Sequence, residues 1–168
     1  GGDTYRHPVG TASDSTNHTQ KVDRLFGAIA VRYNLVNDIQ SLGLHRVWKR
    51  RVVALANLNE GETGLDLCCG TGDIAIGLAQ RGGSIVGMDL NRPMLNQAAA
   101  RLAKRGEKSV SLAQADALNL PLEDHTLDLV TVGSGLRNLA NLEDGVAEIS
   151  RVLQPGGRLL MLDFGKPT

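Results

Sequence analysis

Hydrophobic residues follow two different spacings along the chain. From residue 62 onward, apolar runs of four to six residues are separated by stretches with helical spacing. The runs predict strands at Thr63–Leu67, Ser84–Met88, Val110–Ala113, Leu127–Val132 and Arg158–Leu162. The stretches between them predict helices at Asp73–Gln80, Arg92–Lys104 and Leu142–Leu153, with a turn at Pro155-Gly156-Gly157 before the last strand. Single helices between short strands favour right-handed crossovers, which predicts an α/β fold with a doubly wound, mostly parallel sheet.

The first sixty residues carry a different pattern. Residues 1–20 contain almost no large apolar side chains, which predicts a flexible tail. Helical spacing begins after this tail, at Val22, Leu25, Phe26 and Ile29. A second helix is predicted to begin near Gly43, and the linker Tyr33–His45 suits either a lid or part of a helical hairpin that covers the sheet. We therefore expect a tail at 1–20 and a domain at 21–168, made of a helical lid at 21–60 and an α/β core at 61–168.

Composition excludes several classes of protein. Lys+Arg and Asp+Glu each number 18, and aromatic residues make up 3% of the chain, so a nucleic-acid partner is not expected. Cys68 and Cys69 are adjacent and cannot form an ordinary structural disulfide; without a third cysteine they do not suggest zinc. We therefore expect no metal and a reducing, cytoplasmic location. No run of 18 apolar residues indicates a membrane span, and no N-terminal segment resembles a signal peptide.

Acidic residues lie at four of the five predicted strand ends. In a doubly wound sheet, ligands bind outside the carboxyl ends of the strands. Asp66 and Asp73 flank the turn Gly70-Thr71-Gly72, a place where a pyrophosphate would be repelled and a cation stabilised. This arrangement favours S-adenosylmethionine, whose amino and sulfonium groups are positive, with Asp89 on the ribose hydroxyls and Asp116 on the adenine amino group.

The same loop leaves an alternative open. Gly70-x-Gly72-x-x-Ala75 satisfies the loose dinucleotide fingerprint, and Asp89 lies near the spacing expected of a ribose-binding acid. Taken alone, this motif fits an NAD-dependent dehydrogenase as well. The acidic first turn and Asp116 favour S-adenosylmethionine over NAD.

Three blocks of sequence resemble one known family. They are the stretch from Tyr33 to Trp48, the segment Gly135-Leu-Arg-Asn138, and the stretch from Arg151 to Asp163, which includes Pro-Gly-Gly. In this order they resemble the ubiquinone/menaquinone-biosynthesis C-methyltransferases, and the resemblance runs from about residue 21 to residue 168. It implies a class I methyltransferase (Rossmann-like) fold and methylation of a ring carbon of a polyprenyl benzoquinol or naphthoquinol.

The resemblance also implies roles for individual residues. Thr71 matches a cofactor-contacting threonine, Asp89 the ribose acid, and Asp116-Ala117 the pair that frames the adenine. Gly133 stands where the family commonly has serine, Asn34 where it has aspartate, and Asp163 where it has glutamate. The expected cofactor-binding residues are Asp66, Gly70, Thr71, Gly72, Asp89, Asp116, Ala117, Gly133 and Tyr33.

Three residues are candidates for assisting catalysis. Arg137 suits stabilisation of a phenolate, although it equally suits holding the loop after the fourth predicted strand. His45 on the lid suits a general base but also a structural role at a helix start, and Asp163 suits removal of the ring proton.

The family resemblance also implies a further helix and an antiparallel strand pair after the fifth strand. The sequence stops at Thr168, so we expect a sheet truncated after that strand, with an open apolar edge that a partner chain or a second copy could complete. A cofactor-binding but catalytically incomplete module is therefore the alternative to an enzyme. A prenylated substrate implies peripheral contact with the inner membrane, and the cluster Lys49-Arg50-Arg51 suits either lipid contact or a solvated helix face.

Overall fold

The computed structural model describes residues 30–34, 44–132 and 139–163 of the 168-residue chain. At 30–34, 44–49, 139–141 and 162–163 it describes the backbone alone. The strands are β1 (Ala30–Asn34), β2 (Thr63–Leu67), β3 (Ser84–Asp89), β4 (Val110–Gln114), β5 (Leu127–Val132) and β6 (Leu153–Asp163). The helices are α1 (Leu44–Ala56), α2 (Asp73–Ala79), α3 (Arg92–Arg105) and α4 (Leu139–Val152). The predicted helix at 22–29 and the predicted tail lie outside the described residues.

The strands form one sheet in the order β1-β6-β5-β2-β3-β4, with every neighbouring pair parallel. From β2 the chain adds strands outward through β3 to β4, and it then crosses back to place β5 on the other side of β2. The direction of strand addition therefore reverses between β2 and β5. This is the topological switch point at which open α/β sheets bind their ligands, and the predicted doubly wound α/β class is confirmed.

The outer edge of β6 differs from the prediction. β1 pairs with β6 in parallel, with Ala30 opposite Leu159 and Asn34 opposite Asp163. The sequence pattern had placed these five residues at the junction of a helix and a linker, and it left the edge of β6 open. The prediction of an open edge is wrong, because main-chain groups of β1 pair with those of β6 along that edge.

β6 also begins earlier than predicted. It follows α4 directly at Leu153, and the pairing with β5 shifts register between Leu127 and Leu129. Gly156 in this shift has a φ of 86°, a backbone conformation that glycine adopts without strain. The predicted turn at Pro155–Gly157 is therefore an irregularity inside a strand rather than a separate turn before it.

Two apolar layers cover the sheet. On one face, α1, α2 and α3 pack on the sheet through a cluster that includes Val52, Leu78, Leu102, Ile85, Leu129 and Leu160. On the other face, α4 packs through a cluster that includes Val146, Ile149, Val152, Leu65, Val130 and Leu159. Neighbouring positions of β5 and β6 alternate between the two layers, as the period of a strand requires. The sheet is thus buried on both faces, which explains the nearly continuous apolar composition of its central strands.

A single arginine joins the end of α1 to the sheet. The Arg158 guanidinium, on β6, donates to the carbonyl oxygens of Ala56 (3.3 Å) and Asn57 (3.1 Å) and to the Glu62 carboxylate (3.1 Å). The hydrogen bond from Arg158 holds the pKa of Glu62 below its usual value. The positive charge therefore lies at the C-terminus of α1, where the helix dipole favours a cation.

α1 approaches α2 closely at Gly77. A Cβ atom added to Gly77 would lie 2.7 Å from Cγ2 of Val53, which is too short for two carbon atoms.

We predict that Gly77→Ala destabilises the protein by about 1–2 kcal/mol, because overpacking at this crossing outweighs the better helix propensity of alanine. Urea unfolding checks this value. Combining Gly77→Ala with Val53→Ala provides the control, since the pair should cost less than the sum of the single variants; additive costs would show that the crossing is not tight.

Candidate functional site

The loop after β2 lies at the carboxyl edge of the sheet, beside the switch point. Cys68, Gly70 and Gly72 in this loop have φ values of 61°, 56° and 88°, all in the left-handed region. Glycine adopts this conformation freely, whereas a cysteine does so at a cost of roughly 1 kcal/mol. Main-chain hydrogen bonds hold the shape: the amide of Cys69 donates to Met88 O (3.0 Å), and that of Gly72 donates to Cys69 O (2.9 Å). The loop is therefore a fixed turn before α2.

Asp89, the last residue of β3, is joined to this loop. One of its carboxylate oxygens accepts a hydrogen bond from the Gly70 amide (2.8 Å), and the other accepts one from the Asn91 amide (2.9 Å). Two backbone donors therefore fix the orientation of the carboxylate. Each oxygen keeps a further lone pair that could accept a hydrogen bond from a ligand hydroxyl.

Asp66 lies within the sheet, under the loop. Its side chain is 4% exposed and accepts a hydrogen bond from the Thr131 hydroxyl (2.9 Å). Burial raises the pKa of Asp66 to about 7, although the hydrogen bonds from Thr131 and the Ala75 amide lower it; the charges of Asp89 and Asp73 raise it further. A carboxyl group that titrates near neutrality is thus placed behind the loop, where a nearby cation would stabilise its charged form.

Asp73 does not contribute a free charge to the turn, contrary to the argument from sequence. Its carboxylate lies 2.6 Å from the guanidinium of Arg101 on α3, which also donates to the carbonyl oxygen of Thr71 (3.0 Å). Arg101 neutralises Asp73 and ties α3 to the loop. The acidic character of the site therefore comes from Asp66 and Asp89.

The two cysteines of the loop are not activated nucleophiles. Burial raises the pKa of the Cys69 thiol to about 12, and the charges of Asp66 and Asp89 add to the effect. The pKa of Cys68 is likewise raised, to about 11. Both side chains are therefore neutral thiols at physiological pH, and covalent catalysis through a thiolate is not expected of them.

Asp116 and Ala117 follow β4 at the same edge of the sheet. Asp116 is exposed, and its carboxylate accepts a hydrogen bond from the Leu118 amide (2.9 Å), while Ala117 is half-buried. Because β2, β3 and β4 are neighbours, the loop, Asp89 and Asp116 follow one another along this edge. The loop and the two acids that the sequence predicts to bind the cofactor thus lie side by side along one edge of the sheet.

Two apolar side chains beside Asp89 were not predicted. Leu90 is 61% exposed and Met94 is 40% exposed, the largest exposures among the large apolar residues that the structure describes. Met94 lies over the loop, since a Cβ atom on Gly70 would meet its sulfur at 3.8 Å. These side chains offer a flat aromatic ligand an apolar surface next to the carboxylate. One feature of the sequence could have indicated Leu90. It is an apolar residue directly after the acid that ends a strand, at a position where the hydrophobic spacing of the following helix does not call for a core residue.

The backbone brings two more predicted residues to this edge. Tyr33 and Asp163 lie on the neighbouring strands β1 and β6, with Tyr33 opposite Leu162 and Asp163 opposite Asn34. His45 is the second residue of α1. The side chains of these three residues are outside the description, and Gly133 and Arg137 fall in a segment that is outside it altogether.

Metal chemistry has no evident site in the described part of the chain. No group of three or more His, Cys, Asp or Glu side chains within residues 30–34, 44–132 and 139–163 is arranged to hold a metal ion. No helix in these ranges is long and apolar enough to cross a membrane. The described site can hold a ligand with hydroxyl groups, an aromatic ring and a positive charge.

Comparison with known proteins gives this site a family context. Residues 14–168 match the model of the ubiE/COQ5 methyltransferase family. The chain is 42% identical over 153 residues to a ubiquinone/menaquinone biosynthesis C-methyltransferase from Stutzerimonas stutzeri, covering 89% of this chain and 60% of the relative. It is 42% identical over 151 residues to a demethylmenaquinone methyltransferase from Desulfitobacterium hafniense, covering 88% and 60%. The chain therefore spans 60% of the length of both relatives.

A solved structure supports the fold. A SAM-dependent methyltransferase from Aquifex aeolicus aligns with a TM-score of 0.65 and 26% identity, covering 71% of this chain and 65% of that one. The predicted class I methyltransferase fold is confirmed.

The buried carboxyl group predicts a pH dependence of stability. Because the pKa of Asp66 is raised from 3.8 to about 7, the folded protein binds more protons than the unfolded chain between these values. Stability should therefore fall as pH rises from about 4 to 7 and level off above 7, by on the order of 4 kcal/mol from this group.

Urea unfolding of the natural protein and of Asp66→Asn, from pH 5 to pH 8, measures this dependence. Asp66→Asn should remove the loss, so that the difference between the two proteins grows with pH. Asp144→Asn, at an exposed position of α4, is the matched control and should leave the slope unchanged. Parallel pH profiles for the natural protein and Asp66→Asn would contradict a raised pKa.

Proposed function

The chain belongs to the ubiE/COQ5 methyltransferase family, and on that premise we propose that it transfers a methyl group from S-adenosylmethionine to a ring carbon of a polyprenyl quinol. The observation that carries the proposal is the oriented Asp89 carboxylate, fixed against the loop by the Gly70 amide at 2.8 Å. The names of the relatives, which refer to ubiquinone, menaquinone and demethylmenaquinone, support the quinone class of substrate.

The described residues fit S-adenosylmethionine chemically. Asp89 has acceptor capacity for the two ribose hydroxyls, and the exposed Leu90 and Met94 offer an apolar contact for the adenine. The Asp116 carboxylate would accept a hydrogen bond from the adenine amino group, and Ala117 would lie beside the adenine ring. The Gly70-Thr71-Gly72 turn would approach the amino-acid part of the cofactor, since it has no bulky side chain at the two glycines. Gly133 and Tyr33 complete the proposed binding set.

The charge on Asp66 is part of the same proposal. When bound, S-adenosylmethionine supplies an electrophilic methyl group on a positively charged sulfur. A positive ligand near the loop would lower the pKa of Asp66 from about 7 and favour its ionised form. Binding of the cofactor would thereby increase the ionised fraction of Asp66 near neutral pH.

The substrate half of the reaction is assigned to three residues. A ring carbon beside a phenolate is nucleophilic, and Arg137 would stabilise that phenolate by its charge. After methyl transfer the ring carbon must lose its proton, and His45 or Asp163 would accept it. Tyr33 and Asp163 lie at the ends of paired strands, which places them at the same edge as the cofactor-binding loop. A benzoquinol and a naphthoquinol both meet these chemical requirements.

A module that binds the cofactor without completing the reaction is a second interpretation, because the described side chains supply the acids proposed for the cofactor, Asp89 and Asp116. A dehydrogenase is the third interpretation, resting on the Gly70-x-Gly72-x-x-Ala75 fingerprint alone.

Substitution of Asp89 tests the cofactor site. We predict that Asp89→Ala weakens binding of S-adenosylmethionine by roughly 1–3 kcal/mol, because charge-assisted hydrogen bonds to the ribose are lost. Isothermal titration measures the change. Asp89→Asn should lose less affinity than Asp89→Ala, since its amide oxygen can still accept a hydrogen bond from Gly70, whereas its NH₂ group can accept neither from Asn91 nor from a ribose hydroxyl. Asp144→Ala is the matched acidic control; equal affinities for Asp89→Ala and Asp144→Ala would refute the assignment.

Methyl transfer from labelled S-adenosylmethionine tests the activity. The full chain should label a reduced demethylmenaquinone analogue or a benzoquinol analogue, and Arg137→Lys should lower kcat more than it raises KM if the guanidinium stabilises developing charge. Cofactor binding without transfer would identify the incomplete module. Tight binding of NAD in place of S-adenosylmethionine would reject the methyltransferase proposal.

A further inference from the structure

Four arginines from one face of the molecule line a single groove. Arg50 comes from α1, Arg81 follows α2, and Arg101 and Arg105 come from α3. The arginine groove, as we call this surface, has a volume of about 590 Å³. Val53 and Ile76 lie among these arginines, where α1 crosses α2.

The positive charge of the arginine groove is largely unpaired. Arg101 is neutralised by Asp73 at 2.6 Å. Arg50, Arg81 and Arg105 are exposed, and no side chain among the described residues forms a salt bridge with them. The formal net charge of the whole chain is zero, so this concentration of charge is not a consequence of a basic composition. The fold has gathered the arginines from three separate stretches of sequence.

The chemistry of these side chains indicates the class of ligand. Guanidinium groups bind phosphate oxygens through two parallel N–H donors and keep their charge at any physiological pH. The groove is much larger than one inorganic phosphate, and its charges come from α1, α3 and the turn after α2. A phosphate group that is carried on a larger body, with apolar parts beside it, matches this arrangement better than a small free anion does.

We propose that the arginine groove binds the phosphate headgroup of an anionic phospholipid and holds the protein against a membrane surface. The proposal rests on the proposed function, because a polyprenyl quinol lies in a bilayer and the enzyme has to reach it.

The arginine groove runs along the helices that cover one face of the sheet. Asp73 and Arg101 line one end of it, and Arg101 donates to the carbonyl oxygen of Thr71 in the cofactor-binding loop at 3.0 Å. α2 and α3 lead away from this loop toward the starts of β3 and β4, so Arg81 and Arg105 lie toward the opposite edge of the sheet, and a headgroup bound by them would leave the cofactor-binding edge open. The sequence alone shows no strongly basic amphipathic helix. The arginines of the groove are dispersed along the chain and come together only when α1, α2 and α3 pack.

Vesicle co-sedimentation of the full chain tests the proposal. The protein should bind phosphatidylcholine vesicles that contain about 30% phosphatidylglycerol and should not bind pure phosphatidylcholine vesicles. Arg81→Gln and Arg105→Gln should each reduce binding roughly five-fold, and high salt should weaken it. Lys108→Gln is the matched control, since Lys108 is an exposed cation just after α3 that lies outside the groove; it should keep the affinity of the natural protein.

Several outcomes would overturn the proposal. An equal loss in Lys108→Gln and Arg105→Gln would show a general effect of charge rather than a site. Binding to pure phosphatidylcholine would show apolar insertion. Absence of vesicle binding would reject the proposal, and binding of soluble pyrophosphate or a single-stranded oligonucleotide in its place would assign the groove to a different anion.

A second measurement separates this proposal from the proposed function. Methyl transfer is compared for a short-chain quinol in solution and a long-chain quinol in anionic vesicles. Arg81→Gln and Arg105→Gln should lose more activity on the vesicle-bound substrate than on the soluble one. If the natural protein binds anionic vesicles through the groove but methylates neither quinol, the proposed function fails while the lipid site stands.

Discussion

The hydrogen bond between the Gly70 amide and the Asp89 carboxylate joins the ends of two neighbouring strands at the switch point of the sheet. It fixes the loop after β2 in its left-handed turns, and it turns the carboxylate of β3 toward the same space. The Asn91 amide holds the second oxygen, and Asn91 also caps α3 by accepting from the Met94 amide. The position of Met94 over the loop thus depends on the same few contacts that orient the acid. A local chain of hydrogen bonds therefore sets both the polar and the apolar sides of the candidate cofactor site.

The carboxyl groups of the site have different roles because their surroundings differ. Asp89 is oriented by backbone donors, whereas Asp66 is enclosed in the sheet and titrates near neutrality. Asp73 is neutralised by Arg101 and serves to connect α3 with the loop. Three acids that are close in the sequence and in space thus act as an acceptor, a titratable group and a structural anchor. Their different environments, rather than their number, determine what the site can bind.

Much of the fold follows from local sequence. β2 and β5 were predicted at their observed bounds, because each is a short apolar run between polar residues. β1 was missed because a five-residue segment beside a helical pattern carries little information, and its pairing with β6 is a contact between distant parts of the chain. Asp89 could be found because it ends an apolar strand at a recognisable spacing. The neutralisation of Asp73 could not, since its partner Arg101 lies 28 residues away on another helix.

The pairing of β1 with β6 has a consequence for the order in which the protein can fold. β2, β3 and β4 are consecutive along the chain and adjacent in space, so they can pair as soon as they have been synthesised. β1 is made before them, but the partner with which it pairs, β6, leaves the ribosome after all the other described strands. The early segment must wait until β6 has been synthesised, and closing so long a loop costs entropy that only the assembled sheet can offset. During that interval its backbone groups are available to a chaperone or to a neighbouring chain.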